Sequence, residues 1–201
     1  MTEAPHAPGT GLAALPDDAG DVLLPAARAA IGRALGVPTA PLAVPPAWAL
    51  EPGASYVTLT RDGSLRGCTG TLVARRPLLE DVQANAVGTA LRDRRFPPMT
   101  PGEVPLVRIE VSVLSSPRPC SASSLAEACA ALRPGVDGVI VEAGAWNRAT
   151  FLPQMWDPLP TPEAFLEHLW LKAGLAPGVW HEGTRLQTYT ARAWREAPGG
   201  S

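Results

Sequence analysis

Residues 104–114 contain an alternation that constrains the fold more than any other feature of the chain. Val107, Ile109, Val111 and Val113 fall on one side of an extended backbone, and Arg108, Glu110 and Ser112 on the other. A strand with one apolar and one polar face needs a core on one side only. That pattern suits an antiparallel sheet backed by helices better than a parallel sheet covered on both faces.

The neighbouring segments agree. Ala54 to Thr60 reads as a strand, Asp62-Gly63 as the tight turn of a hairpin, and the returning strand starts near Leu65. Leu24, Ala27, Ile31 and Leu35 recur at helical steps after Asp21, and Gly36 is placed to stop the helix. A second helix opens at Pro77, with Leu78, Leu79, Val82, Ala86 and Ala90 as its apolar face. Between the two helices runs a proline-rich connector from Pro38 to Pro52, anchored by Trp48 and Leu50.

Downstream, Thr100-Pro101-Gly102-Glu103 and Ser124-Leu125-Ala126-Glu127 have capping-box spacing. Residues 138–142 and 150–152 form short strands around Gly144. Thr161-Pro162 begins a helix that ends before Gly174, and Arg185 to Trp194 reads as one last strand. Hairpins with irregularly interspersed helices predict an α+β fold: a mainly antiparallel sheet with flanking helices. Residues 1–20 and 196–201 are expected to be flexible tails around a domain spanning 21–195.

Of the 201 residues, 46% are hydrophobic and 18% charged, enough apolar material for a sizeable core. The net charge of -2 argues against a general nucleic-acid binder. Cys68, Cys120 and Cys129 are an odd set without a CxxC pair, so neither a disulfide framework nor a structural zinc site is expected. The N-terminal stretch lacks the pattern of a signal peptide, and no apolar run approaches a membrane span. The expectation is a cytoplasmic protein with no membrane or nucleic-acid partner.

The chemistry concentrates in Leu65-Arg66-Gly67-Cys68-Thr69-Gly70. Regular strand geometry puts Arg66 and Cys68 on one face. There the guanidinium would favour the thiolate and offer a fork to a carboxylate or phosphate. Gly67 and Gly70 mark a bulge or a close approach by other atoms. The plainer alternative for Cys68 is a small buried core residue. Asp93, Arg95 and Phe96 form a second candidate, either binding a ligand or simply completing a helix end. Glu110 is a third, as a base on the polar face of its strand or as a surface charge. His6, His168 and His181 form no metal-binding pair, and no phosphate-loop or dinucleotide fingerprint is present, so no cofactor is expected.

Taken in order, LRGCTG, Asn85-Ala86, Asp93-x-Arg95-Phe96-Pro97-Pro98 and Ile109 to Ser115 resemble the AMMECR1 family. The C-terminal half adds Gly135 to Val139, Thr150 to Gln154 and Lys172 to Leu175. The resemblance implies an α+β fold with a smaller second lobe. It also implies association of prokaryotic members with Memo-like and radical-SAM proteins, as component A of that system. It places the signature motif at Leu65 to Gly70 and adds Asn85 to the binding set. Thr69 stands where isoleucine is usual, which favours an exposed polar position there. Two functions are compatible with these residues. One is a thiol-dependent enzyme or modifying factor using Cys68, Arg66 and Glu110. The other is a binding module for a partner protein or a small anionic ligand, built from Gly67, Thr69, Gly70, Asn85, Asp93, Arg95 and Phe96.

Overall fold

The computed structural model describes residues 15–197, so most of each expected tail lies outside the described residues. The near ends of both are folded: Leu15 and Ala19 are buried, and Glu196 is ion-paired with Arg28. The chain divides into two compact units, one of them Pro117–Ala191.

The first unit opens with helix α1 (Gly20–Ala34) and a short helix α2 (Ala47–Leu50). Strands β1 (Pro52–Arg61), β2 (Ser64–Gly70) and β3 (Arg76–Pro77) precede helix α3 (Leu78–Arg92), and a 3-10 turn (Pro101–Leu106) leads into β4 (Val107–Leu114). In the second unit come β5 (Arg118–Cys120), α4 (Leu125–Ala131), β6 (Gly138–Ala143), β7 (Asn147–Phe151), α5 (Pro162–Lys172) and β8 (Arg185–Tyr189). The chain then returns to the first sheet as β9 (Ala191–Arg195).

The first sheet has the order β2-β1-β4-β9, with β3 beside β1. β1 runs antiparallel to β2, β3 and β4. Asp62 and Gly63 both adopt positive φ, 52° and 78°, as the two-residue hairpin requires. Val57, Leu59, Ile109, Val111 and Val113 turn inward against Leu23, Ala27 and Ile31 of α1 and Leu78, Val82 and Ala86 of α3. Each fully buried leucine here contributes about 2 kcal/mol of apolar burial. Tyr56, Thr58 and Thr60 of β1 turn the other way, in register with Ser112, Glu110 and Arg108 of β4.

The second sheet, β5-β8-β6-β7, backs onto an aromatic core. Trp156 stacks on Phe165 at 4.0 Å between centroids, and Phe151 meets the same ring edge-on at 5.4 Å. Asp137, in the Gly135–Val139 motif, is buried, is paired with Arg133, and its carbonyl accepts from the Trp156 indole at 2.7 Å.

Two expectations need correction. Leu50 is exposed, and the connector is instead pinned by Ala49, fully buried, with Trp48 packed on the core. Residues 185–194 are not one strand: they break at Thr190, with β8 in the second sheet and β9 in the first. The alternation is continuous across the break, so side-chain pattern alone could not show it.

Candidate functional site

The motif strand β2 is the edge of the first sheet, and its geometry begins with a bulge. Gly67 pairs with Leu59 and Leu65 with Thr60, leaving Arg66 as the extra residue. The bulge re-aims Arg66. Its Nε donates to Glu103 Oε1 at 2.9 Å and its Nη2 to the Pro97 carbonyl at 3.0 Å. The expected Arg66–Cys68 pairing is therefore replaced by an Arg66–Glu103 pair. Arg66 and the Thr100 amide in turn hold the Glu103 carboxyl down to about 2.

Past the bulge the strand alternates cleanly. Gly67 and Thr69 face α3, and Cys68 and Gly70 face outward opposite Thr58 and Tyr56. A Cβ on Gly67 would lie 2.9 Å from both the Thr89 methyl and its carbonyl oxygen. A Cβ on Gly70 would lie 2.3 Å from the Tyr56 ring. The two glycines let a helix approach one face of the strand and an aromatic ring lie across the other. Thr69 is not the outward polar position expected. Its amide donates to Thr89 Oγ1 at 3.1 Å, and its hydroxyl lies 3.2 Å from the Asn85 carbonyl.

The reason lies in α3 and its C-cap, where Asp81, Asn85, Thr89 and finally Asp93 recur every fourth residue and are all buried. This polar spine runs under β1 and β2. Asp81 accepts from the Ser55 amide and hydroxyl at 2.9 and 2.7 Å, from Thr71 at 2.6 Å and from Arg76 at 2.8 Å. Asn85 donates to the Ser55 carbonyl at 2.9 Å and to Asp81 at 2.8 Å. Thr89 donates to the Val57 carbonyl at 3.0 Å. Asn85 is thus directed at the sheet's backbone rather than at a ligand-facing surface.

Asp93 ends the spine at the motif cysteine. Its Oδ2 accepts from the Cys68 amide at 2.9 Å, while Arg95 Nη2 donates to the Cys68 carbonyl at 3.0 Å. Asp93 and Arg95 also pair with each other at 2.7 Å, and Arg95 lies over the Phe96 ring at 5.6 Å. The two side chains make the contacts a neighbouring strand would make at this residue. The Arg95 guanidinium holds the Asp93 carboxyl well below the usual carboxylate range.

On the outer face, Cys68, Thr58 and Glu110 stand in one row across β2, β1 and β4. Thr58 Oγ1 donates to Cys68 Sγ at 3.3 Å. Adjacent strands lie about 4.8 Å apart, so Glu110 sits roughly 10 Å from the cysteine with Thr58 between them. Arg195 of β9 pairs with Glu110, and the Ser112 hydroxyl lies 3.4 Å from it. Burial pushes the half-buried Cys68 thiol above its ordinary value. The Thr58 hydroxyl and Arg95 pull it partway back, and Asp93 and Glu110 add to the rise. A thiol in this setting is neutral at pH 7, contrary to the thiolate that an adjacent Arg66 would have produced.

The structure therefore sorts the sequence-derived residues into three groups. Cys68, Glu110 and Gly70 share the outer face; Gly67, Thr69 and Asn85 lock the strand to α3; Arg66, Asp93, Arg95 and Phe96 close its edge. Thr58, Arg195, Glu103, Asp81 and Thr89 were not foreseen as contributors. The four-residue recurrence of polar groups along α3 was visible signal for two of them. Among the described residues no cluster of three or more metal-ligating side chains forms, and no helix is long and apolar enough to cross a membrane. The residues of the first unit described here include no histidine.

Comparison with known proteins places this arrangement in context. A family model described as AMMECR1 matches residues 24–194. A protein from Methanothermobacter thermautotrophicus is 39% identical over 147 residues, which cover 70% of this chain and 74% of that one. One from Thermotoga maritima is 35% identical over 143 residues, covering 70% and 76%. The crystal structure of the uncharacterized protein PH0010 from Pyrococcus horikoshii superposes with a TM-score of 0.82 at 33% identity, covering 90% of this chain and 93% of that one.

Proposed function

The chain belongs to the AMMECR1 family, and from that footing we infer that it acts as a binding module whose recognition surface carries Cys68 as a neutral thiol. The observation that supports this reading most is the commitment of Arg66 to Glu103 and Pro97. It leaves the sulfur with a Thr58 hydroxyl, not a cation, as its hydrogen-bonding neighbour. A protonated thiol is a weak nucleophile but a good small, polarizable contact. The outer row adds a hydroxyl and a carboxylate on the same face, suited to a partner protein or a small polar ligand. Memo-like and radical-SAM proteins are the partners that the family resemblance suggests.

A second reading is supported by the row itself. Glu110 stands two strands from Cys68 on the same face, with the Thr58 hydroxyl between. A bound substrate spanning that gap would meet the thiol at one end and the Glu110 carboxylate, itself paired with Arg195, at the other, where the carboxylate could take a proton from the substrate.

Alkylation by iodoacetamide against pH separates the two, in a background where Cys120 and Cys129 are serine. The binding reading expects a Cys68 rate that rises only above about pH 8.5, the free-thiol value. It also expects Cys68→Ser to retain binding to a Memo-like protein by calorimetry. A midpoint below about pH 7.5, or loss of binding in the serine variant alone, would transfer the case to thiol chemistry.

A further inference from the structure

A cavity of about 660 Å³ lies at the hairpin end of the first sheet, one row further along the outer face than the cysteine row. Its walls include Thr60, Asp62, Gly63, Leu106 and Arg108, with Arg28 and Glu196 behind them, and the Asp62 carboxylate pairs with Arg61 at 3.5 Å. The charges there are unevenly satisfied. Arg28 is fully engaged: it donates to Glu196, to the Val104 carbonyl at 2.8 Å and to the Val107 carbonyl at 2.8 Å. Glu196 also accepts from the Ile109 amide at 2.8 Å. That pair is a brace between α1, β4 and the chain segment after β9, and its charges cancel. The guanidinium of Arg108 is exposed and, among the described residues, has no hydrogen-bond or ion-pair partner.

Arg108 and Thr60 are register partners on β4 and β1, so both project from the outer face side by side. Beside them Leu106 keeps about half of its surface exposed at 53%, and Pro105 is exposed too. Beside the Asp62 and Glu196 carboxylates, each paired with its own arginine, the cavity offers one unengaged planar cation, one hydroxyl and a small apolar floor. A guanidinium matches a carboxylate in two parallel hydrogen bonds, and the floor would cover a short hydrocarbon body. We propose that this cavity binds a small organic carboxylate through Arg108 and Thr60, with its apolar end on Pro105 and Leu106. The inference goes beyond the binding surface around Cys68 and stands independently of it.

The test is titration of the isotope-labelled full chain with sodium isobutyrate, followed by amide chemical shifts at constant ionic strength. Saturable shifts at Gly63, Leu106 and Arg108 are expected, with Arg108→Gln weakening binding about fivefold or more. Leu106→Ser should weaken isobutyrate but leave acetate unchanged. Shifts that do not saturate, or that persist equally in Arg108→Gln, would overturn the proposal. Equal binding of inorganic phosphate would overturn the carboxylate assignment, because phosphate has no apolar end to place. Cys68 alkylation, unchanged in Arg108→Gln, keeps a failure here distinct from a failure at the cysteine.

Discussion

The two units hold themselves together by different physics. The second is centred on rings: Trp156, Phe165, Phe151 and Trp170 are buried together, and the contacts are broad and non-directional. The first has an aliphatic core, and beside it the Asp81–Asn85–Thr89–Asp93 spine bonds β1 and β2 atom by atom. Apolar area stabilises a fold but tolerates small sliding. Buried hydrogen bonds add less net energy but fix one register, because a slipped strand leaves polar groups unpaired. The motif strand is an edge strand, held by its neighbour on one side only. The difference teaches that its position is specified by direction rather than by bulk.

The sharpest way to break that contrast is to cut each unit at its centre. Phe165→Ala removes the ring shared by two aromatic contacts and should cost about 4 kcal/mol in urea unfolding. Hydrogen exchange should then rise in β6 to β8, while the Cys68 alkylation rate stays the same. Asp81→Ala should cost somewhat less, about 3 kcal/mol, because it leaves buried donors from Ser55 and Asn85 unpaired. Its distinguishing effect is positional: amide protection at Ser55 and Cys68 should fall together. Loss of protection spread evenly over both units would mean the spine is not a separate device.

The smallest effect concerns pH. Arg66 lowers the Glu103 carboxyl to about 2, so the folded value lies below the unfolded one. The resulting stabilisation is present above the unfolded value and is lost as pH falls from about 4.5 toward about 2. Because the pair is partly solvated, its contribution is only about 1 kcal/mol. Glu103→Gln should therefore lower stability by that amount at neutral pH and narrow its gap from the wild type in acid. Denaturant midpoints across that window measure it. A gap that widens in acid would reverse the sign and remove the Arg66–Glu103 pair as the cause.

What could be read from the sequence was local. The Val107–Val113 alternation, the Asp62-Gly63 turn and the Thr161 cap each depend on a few adjacent residues, and all three stand in the structure. Cys68 and Glu110 were named separately, and the register of β1 brings them into one row. What escaped depends on partners far along the chain. Arg66 was assigned a face by strand parity, and a one-residue bulge reversed the consequence. Asp81 and Thr89 find their partners only when β1 and the segment from β2 to Arg76 are laid against the helix. Thr190 interrupts an alternation that continues on both sides, and only pairing partners reveal the change of sheet.

The side-chain pair beside Cys68 has one more consequence. A bare sheet margin is a template on which a second chain can add its own strand. Here a carboxylate and a guanidinium, supplied by residues two apart, occupy the donor and acceptor sites of Cys68. Self-association of this molecule is thus restrained at that point by two short appendages that a single substitution can withdraw. Their loss would show first as a change in how many molecules travel together, before any change in how tightly one molecule is folded.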